Sequence, residues 1–295
     1  MAIKAQGQHY FQNDDCRINI SKVIRKQNLT HEHDLTETEH YHDFIEVVFI
    51  VNGQGIQVLE GNEYDVSAGD VFVLQGNQKH FFKNADDIGI INLMFDNKHH
   101  SANISNKIKK LDGFNALFIL EPRYRTTHHF KNKLRLTREE LAPIELTLNT
   151  MILEQKKKDI GFEIILKNRL EELVILLSRH YASIKTTQAK SLVRIAKVVD
   201  YLENNFENQI YIEKLAEISC MSTRNFMRTF KGAVGLTPIN YLKQVRLQNA
   251  RKQLRETSHN VTEVAVQCGF TDSNYFIKSF KQAYGVTPNK FRKRW

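Results

Sequence analysis

The sequence predicts a two-domain α+β protein, with a β-barrel and trailing helices first and an all-α domain built from a repeated helical unit second. Three observations carry this. Short alternating apolar runs punctuated by glycine fill roughly residues 15–96. Helical periodicity replaces them from residue 137 onward. Near the end one ordered set of residues occurs twice: Leu215-Ala216, Phe226, Phe230-Lys231, Gly235 and Thr237-Pro238 recur as Val264-Ala265, Phe276, Phe280-Lys281, Gly285 and Thr287-Pro288. Such self-similarity marks a duplicated structural unit.

In the first half, residues 45–51 read as a strand, Asn52-Gly53-Gln54-Gly55 as a hairpin turn and residues 56–60 as the partner strand. Gly61-Asn62 is a further turn, and residues 64–66, 70–74, 80–83 and 88–95 read as strands of a closed or nearly closed barrel. Residues 114–120 form one more apolar run, ended by Glu121-Pro122. Thr137 and Glu140 then make a capping box ahead of Leu141, Ile144, Leu148, Met151 and Ile152. A second helix at 161–182 carries Phe162, Ile165, Leu166, Leu170, Leu173, Val174 and Leu177 on one broad stripe. Much of this stripe is expected to cover the barrel. Residues 183–189 are polar and aperiodic, as a linker would be. The divisions expected are a barrel domain at 1–136, a helical dimerisation and packing segment at 137–182, a linker at 183–190 and the repeat domain at 191–295.

Each copy of the repeat reads as two short helices joined by a tight turn, a helix-turn-helix. In the first, residues 211–218 are a helix, Ser219-Cys220-Met221 the turn, and Ser222 a hydroxyl cap for a helix to about residue 231. In the second, residues 261–267 are followed by Cys268-Gly269-Phe270, with Thr271 or Asp272 capping a helix through residue 281. Gly269 stands where a positive φ favours glycine. Phe226 and Phe230, like Phe276 and Phe280, are four apart and point to a core. Arg224 and Arg228, and Asn274 and Lys278, are four apart on the opposite stripes. Arginine matches the two major-groove acceptors of guanine, asparagine matches adenine, and lysine suits guanine or phosphate.

The string Leu-Ala-x-x-x-Cys-Met-Ser-x-x-x-Phe-x-x-x-Phe-Lys, then Gly-x-Thr-Pro, then Gly269-Phe270, Tyr275-Phe276 and Gly285-Val286-Thr287-Pro288-x-x-Phe291-Arg292, resembles the AraC/XylS family of transcription regulators across residues 191–295. The resemblance implies a DNA-binding domain whose two helix-turn-helix units are joined by a long helix at about 238–254. The recognition helices would enter successive major-groove segments about 34 Å apart. The base-facing positions it implies are Arg224, Met227 and Arg228, and Ser273, Asn274 and Lys278. Met227 replaces the family's usual polar residue and suits a thymine methyl.

Charge agrees with this division. The chain has 295 residues and net charge +9, yet from Lys190 onward eighteen Lys and Arg face eight Asp and Glu. The repeat domain therefore holds the whole basic excess, the footprint of a nucleic-acid partner. Arg292, Lys293 and Arg294 read as phosphate contacts or solvated charge. Cys16, Cys220 and Cys268 include no CxxC and suggest no disulfide framework. No apolar leader or membrane span is visible, and a reducing cytoplasm is the expected compartment.

His40-Tyr41-His42, Glu46 and Gly53 resemble the first cupin motif, and Gly69, His80 and Asn84 the second, with Gln75 and Asn77 in place of proline and glycine. Over residues 18–96 the resemblance implies a cupin-like barrel with an effector pocket. For His40, His42, Glu46 and His80 three readings stand: ligands of zinc, iron or manganese, polar lining of a metal-free pocket, or structural use. The metal is not the favoured one, and no other cofactor is expected. His31 and His33, His99 and His100, and His128 and His129 read as surface-loop residues. Residues 117–125 resemble regulators of rhamnose metabolism.

The combined reading is a ligand-responsive, sequence-specific DNA-binding transcription regulator rather than an enzyme. It is expected to activate sugar-metabolism genes, bind double-stranded DNA and a small effector such as a sugar, work with RNA polymerase, form a homodimer and have no membrane partner. One alternative is a metal-dependent cupin enzyme fused to a DNA-binding domain. Another is an architectural protein that binds DNA without sequence preference.

Overall fold

The computed structural model describes residues 2–5, 10–11, 16–24, 38–85, 88–122 and 133–293. His31, His33, His128, His129 and Arg294 lie outside them. Two compact units are present, Met1–Val193 and Arg194–Trp295.

In the first unit, ten strands form two five-stranded sheets among the described residues. One sheet has the order β1 (Ile3–Lys4), β3 (His40–Tyr41), β8 (His80–Lys83), β5 (Gln54–Leu59) and β6 (Asn62–Ser67). The other has the order β10 (Leu134–Arg135), β7 (Asp70–Leu74), β4 (Ile45–Asn52), β9 (Gly89–Phe95) and β2 (Ile18–Ile24). Alternate side chains from both sheets, among them Val48, Ile50, Leu59, Tyr64, Phe72, Leu74, Phe82 and Ile90, fill a common core.

The hairpin expected between residues 45–51 and 56–60 does not form. Strand β4 is flanked by β7 and β9, so both its hydrogen-bonding edges are taken and β5 joins the other sheet. Gly53, at φ 73°, lies where the chain leaves one sheet for the other. The hairpin forms one strand later: Leu59 pairs with Asn62 across Glu60 and Gly61, whose φ values of 50° and 76° suit a two-residue turn that follows strand twist.

The apolar run at 114–120 is helical. A turn at Asp112–Phe114 continues into a wider π-helical stretch at Asn115–Leu120, with Phe114 and Phe118 stacked at 5.1 Å. Close approach to the later helix that carries Ser178 depends on Gly113, because a Cβ there would collide with the Ser178 carbonyl. Helix α1 (Arg138–Lys157) starts with the expected capping box, Glu140 N donating to Thr137 Oγ1 at 3.2 Å and Thr137 N to Glu140 Oε2 at 2.8 Å. It buries Leu141, Ile144, Leu148 and Met151. Helix α2 (Phe162–Ser183) buries Phe162, Leu166, Leu170, Leu173, Val174 and Leu177. Ile165, expected on that stripe, is 44% exposed, because it falls a helical step to the side of Leu166.

Residues 184–186 separate α2 from helix α3 (Thr187–Asn204), so much of the segment expected as linker at 183–190 is helical. Thr186 serves the helix start: its Oγ1 accepts from Ala189 N at 3.3 Å. The boundary between the two units falls inside α3.

The second unit continues with α4 (Ile212–Ile218), α5 (Thr223–Val234), α6 (Pro238–Glu256), α7 (Val261–Gln267), α8 (Ser273–Tyr284) and α9 (Pro288–Arg292). The two copies share their turn down to single hydrogen bonds. Cys220 N donates to Glu217 O and Met221 N to Ala216 O, as Gly269 N does to Val266 O and Phe270 N to Ala265 O. This is a Schellman ending with a left-handed residue after the helix. Thr237 and Thr287 cap α6 and α9, with Pro238 and Pro288 in the first turn of each. Ser222 occupies the cap position of α5 but makes no side-chain capping bond, whereas Asp272 accepts from Asn274 N and Tyr275 N. Arg292 is partly buried and donates to Leu254 O at 3.4 Å, tying α9 to the end of α6.

The left-handed turn residue is glycine at 269 (φ 79°) and cysteine at 220 (φ 49°). At Gly269 a Cβ would lie 2.7 Å from Phe206 O and 2.8 Å from Glu207 O. Gly269→Ala should therefore destabilise the second unit by about 2–4 kcal/mol, while Cys220→Gly stays within about 1 kcal/mol of wild type on the stabilising side. Denaturant unfolding followed by far-UV circular dichroism measures both. A second expectation concerns thiol reactivity. Cys220 is exposed, whereas Cys16 and Cys268 are buried and burial pushes the Cys268 thiol up to about 11. An aromatic disulfide reagent at pH 8 should modify one thiol quickly and two slowly; three equal rates would contradict this packing.

Candidate functional site

Two places combine chemistry with position. The first is the outward face of the two recognition helices, α5 and α8. Each is oriented by a fully buried phenylalanine pair, Phe226–Phe230 at 5.6 Å and 62°, and Phe276–Phe280 at 5.7 Å and 63°. A third ring completes each set: Tyr241 lies 6.0 Å from Phe230, and Phe291 lies 5.6 Å from Phe280. Helix α6 serves both copies. Tyr241 meets the first, and Leu247, Ala250 and Leu254 enter the core of the second.

With these rings inside, helical geometry turns Arg224 and Arg228, and Asn274 and Lys278, outward, and all four are exposed. Met227 and Ser273 are half-buried on the flanks of their helices. Arg228 Nη2 donates to Asn225 Oδ1 at 3.0 Å, which draws the guanidinium along the helix surface. The sequence reading missed Asn225 and its counterpart Tyr275, which is 52% exposed. Their signal was the helical angle: each lies about 100° round the helix from its buried phenylalanine.

The second place is the end of the barrel. Strand β8 brings His80, β4 brings Glu46, and the connection from β3 to β4 brings His42. All three are buried, at 3%, 4% and 2% exposure. His42 Nε2 lies 2.9 Å from Glu46 Oε2, and His80 Nε2 lies 3.2 Å from the same oxygen. Of the four residues expected here, these three place a ligand atom each within 4.8 Å of one another. His40 stays outside that group, half-buried, with its ring 4.2 Å from that of His80. Burial and the neighbouring His80 push the His40 imidazole down to about 4, against the pull of Glu46. Burial tends to raise the Glu46 carboxyl, but His42 and His80 outweigh it and hold the group well below the usual carboxylate range.

The departures from the second cupin motif have structural reasons. Asn77 adopts φ 70°, the left-handed conformation in which asparagine best replaces glycine, and its N–H donates to His42 O at 2.6 Å. Gln75 Nε2 donates to the Phe118 carbonyl, and Gln78 Nε2 to Pro122 O at 3.0 Å, so this loop anchors the helical segment beside it. The cavity at this end is lined by Tyr10, His40, His42, Glu46, His80 and Asn92, among others, and measures about 30 Å³.

Each place lies in a segment that matches a known family. Residues 29–97 match the AraC-like ligand binding domain, and residues 215–294 match a helix-turn-helix domain. The HTH-type transcriptional activator RhaS of Enterobacter sp. (strain 638) is 27% identical over 86% of this chain and 87% of its own length. RhaS of Escherichia fergusonii has the same identity and coverage. A solved structure of a probable AraC family transcriptional regulator from Rhodopseudomonas palustris CGA009 is 31% identical over 34% of this chain and 95% of that one, with a TM-score of 0.33. A ligand-binding barrel ahead of a duplicated helix-turn-helix, each matched in its own segment and aligned together with RhaS over most of the chain, makes this protein a member of the AraC/XylS family of transcription regulators.

Proposed function

We propose that the chain is an effector-responsive transcription activator that reads an asymmetric DNA site with two dissimilar recognition helices. The observation that carries this is the pair of outward faces, two arginines on one helix and asparagine with lysine on the other, each held by an equivalent pair of buried rings. Similarity to RhaS, named as a transcriptional activator, supports the sign of regulation. The setting is expected to be the cytoplasm, with RNA polymerase as a protein partner. Met227 and Ser273, on the helix flanks, would touch groove walls or thymine methyls rather than lead base recognition.

The effector class is proposed to be a sugar, received at the barrel end where His40, His42, Glu46, His80 and Asn92 offer polar groups. A cavity of about 30 Å³ holds one small ion or water, so a sugar enters only if lining side chains separate. That coupling of binding to side-chain movement is what a switch needs, since the ligand must favour one arrangement over another.

A homodimer is proposed through α1 and α2. Among the described residues, nine large hydrophobic side chains are exposed, and five of them, Leu146, Leu153, Ile160, Ile164 and Ile165, lie in these helices and the loop between them. Leu153→Asp together with Ile164→Asp should shift the protein from dimer to monomer in sedimentation velocity; an unchanged dimer would place the interface elsewhere.

For DNA recognition, Arg228→Ala should weaken binding to a selected duplex by about 1–3 kcal/mol, with the loss concentrated at one base pair. Titration against random duplex at fixed salt is the control. Equal loss on both duplexes would make Arg228 a phosphate contact.

A further inference from the structure

The two helix-turn-helix copies are joined twice. One connection is helix α6 itself, which follows the first copy and enters the core of the second through Leu247, Ala250 and Leu254. The other is made by residues distant in sequence. The loop between α3 and α4 leads into the first copy, yet it packs Phe206 against the core of the second. Gly269, in the second copy's turn, lies so close to this loop that a Cβ would come within 2.7 Å of Phe206 O and 2.8 Å of Glu207 O. Arg246 reaches the same loop from the middle of α6, its Nε donating to Phe206 O at 2.7 Å and its Nη2 to Asn208 O at 2.8 Å. The Cβ on Gly269 would also stand 2.9 Å from Arg246 Nε, so helix, loop and turn meet at one point. Arg246 is half-buried there, and its planar fork holds two main-chain oxygens at once, which a flexible ammonium does not do with the same rigidity.

We propose that Arg246 is a positioning residue that fixes the separation and relative angle of the recognition helices α5 and α8, and with them the spacing between the two halves of the DNA site that the chain accepts. A single helix joining two packed bodies leaves bending and twisting between them as soft motions, and a second attachment off the helix axis removes both. DNA makes the requirement strict. One added base pair moves the second half of a site by about 3.4 Å and turns it by about 35° around the duplex, so two rigidly held helices fit one spacing and two loosely held ones fit several. The effect on spacing rests on the reading of two base-reading helices above; the joint between the copies does not.

The test compares the wild-type chain with Arg246→Met, which keeps the aliphatic stem and removes the donors. Binding is titrated at fixed salt against three kinds of duplex: the two-part site that the wild-type chain selects from a random library, that site with one base pair added between its halves, and that site with either half scrambled. The added base pair should cost the wild type about thirtyfold in affinity and Arg246→Met about threefold, while on half-scrambled duplexes the two proteins agree within about twofold. Arg246→Lys, which keeps the charge without the fork, should fall between them and serves where Arg246→Met does not fold. A second readout needs no DNA. Spin labels on Cys220, exposed in the first copy, and on Gln282→Cys, at an exposed position of the second, report the distance between the copies by pulsed electron paramagnetic resonance. Arg246→Met should roughly double the width of that distance distribution. An equal spacing penalty in wild type and variant overturns the proposal, and so does a distribution that stays as narrow. A variant weakened as much on half-scrambled duplexes as on the full site also overturns it, since Arg246 would then support the units and not their spacing. A wild-type chain that selects no two-part site contradicts the regulator reading instead, and the label distances still decide the joint.

Discussion

In each copy of the repeat, one left-handed residue after the first helix turns the chain so that two phenylalanines four residues apart enter the core. The functional surface depends on that constraint, because burial of the rings fixes the rotation of the helix about its own axis. Once Phe226 and Phe230 are inside, Arg224 and Arg228 have only the solvent side. The same holds for Asn274 and Lys278 opposite Phe276 and Phe280. The turn tolerates different residues because it is held by backbone bonds, and the outward faces have diverged while the rings behind them have not.

The barrel rests on a comparable restriction. Strand β4 has partners on both edges, so the chain must change sheets at Gly53, and β8 comes to lie beside β3 with His40 opposite His80. Glu46 on β4 then meets His42 and His80 from the other side. Two sheets closing at one end thus bring together polar groups distant in sequence, in a space of about 30 Å³. Burial makes every unpaired polar atom there costly, and the 2.9 Å hydrogen bond between His42 Nε2 and Glu46 Oε2 offsets part of that cost.

Much of this was legible in the sequence, for reasons that differ by element. The recognition helices announced themselves twice, and a repeat makes register visible that a single copy would leave open. Strand positions were legible from alternation, but partnership was not: nothing local to residues 52–55 tells whether the next strand returns beside the last or crosses to another sheet, because that depends on who occupies the edges of β4. Residues 114–120 carry no decisive period, and their helix follows from close packing at Gly113 against Ser178. His42, Glu46 and His80 were found through the resemblance to the two cupin motifs; His40 was grouped with them on the same ground, and only the structure separates it. Tyr275 was passed over because it adjoins Phe276 in an apolar pair, although its helical angle sets it outward.

The central claim is that the two outward faces read different bases. The most direct measurement transplants one face onto the other, replacing Arg224 with Asn and Arg228 with Lys, and compares the duplexes that the two proteins select from a random library. The account requires a wild-type motif with two dissimilar halves about one helical turn apart, and a variant motif whose halves have become alike. An unchanged motif, or no enrichment of any sequence by the wild-type chain, would contradict it.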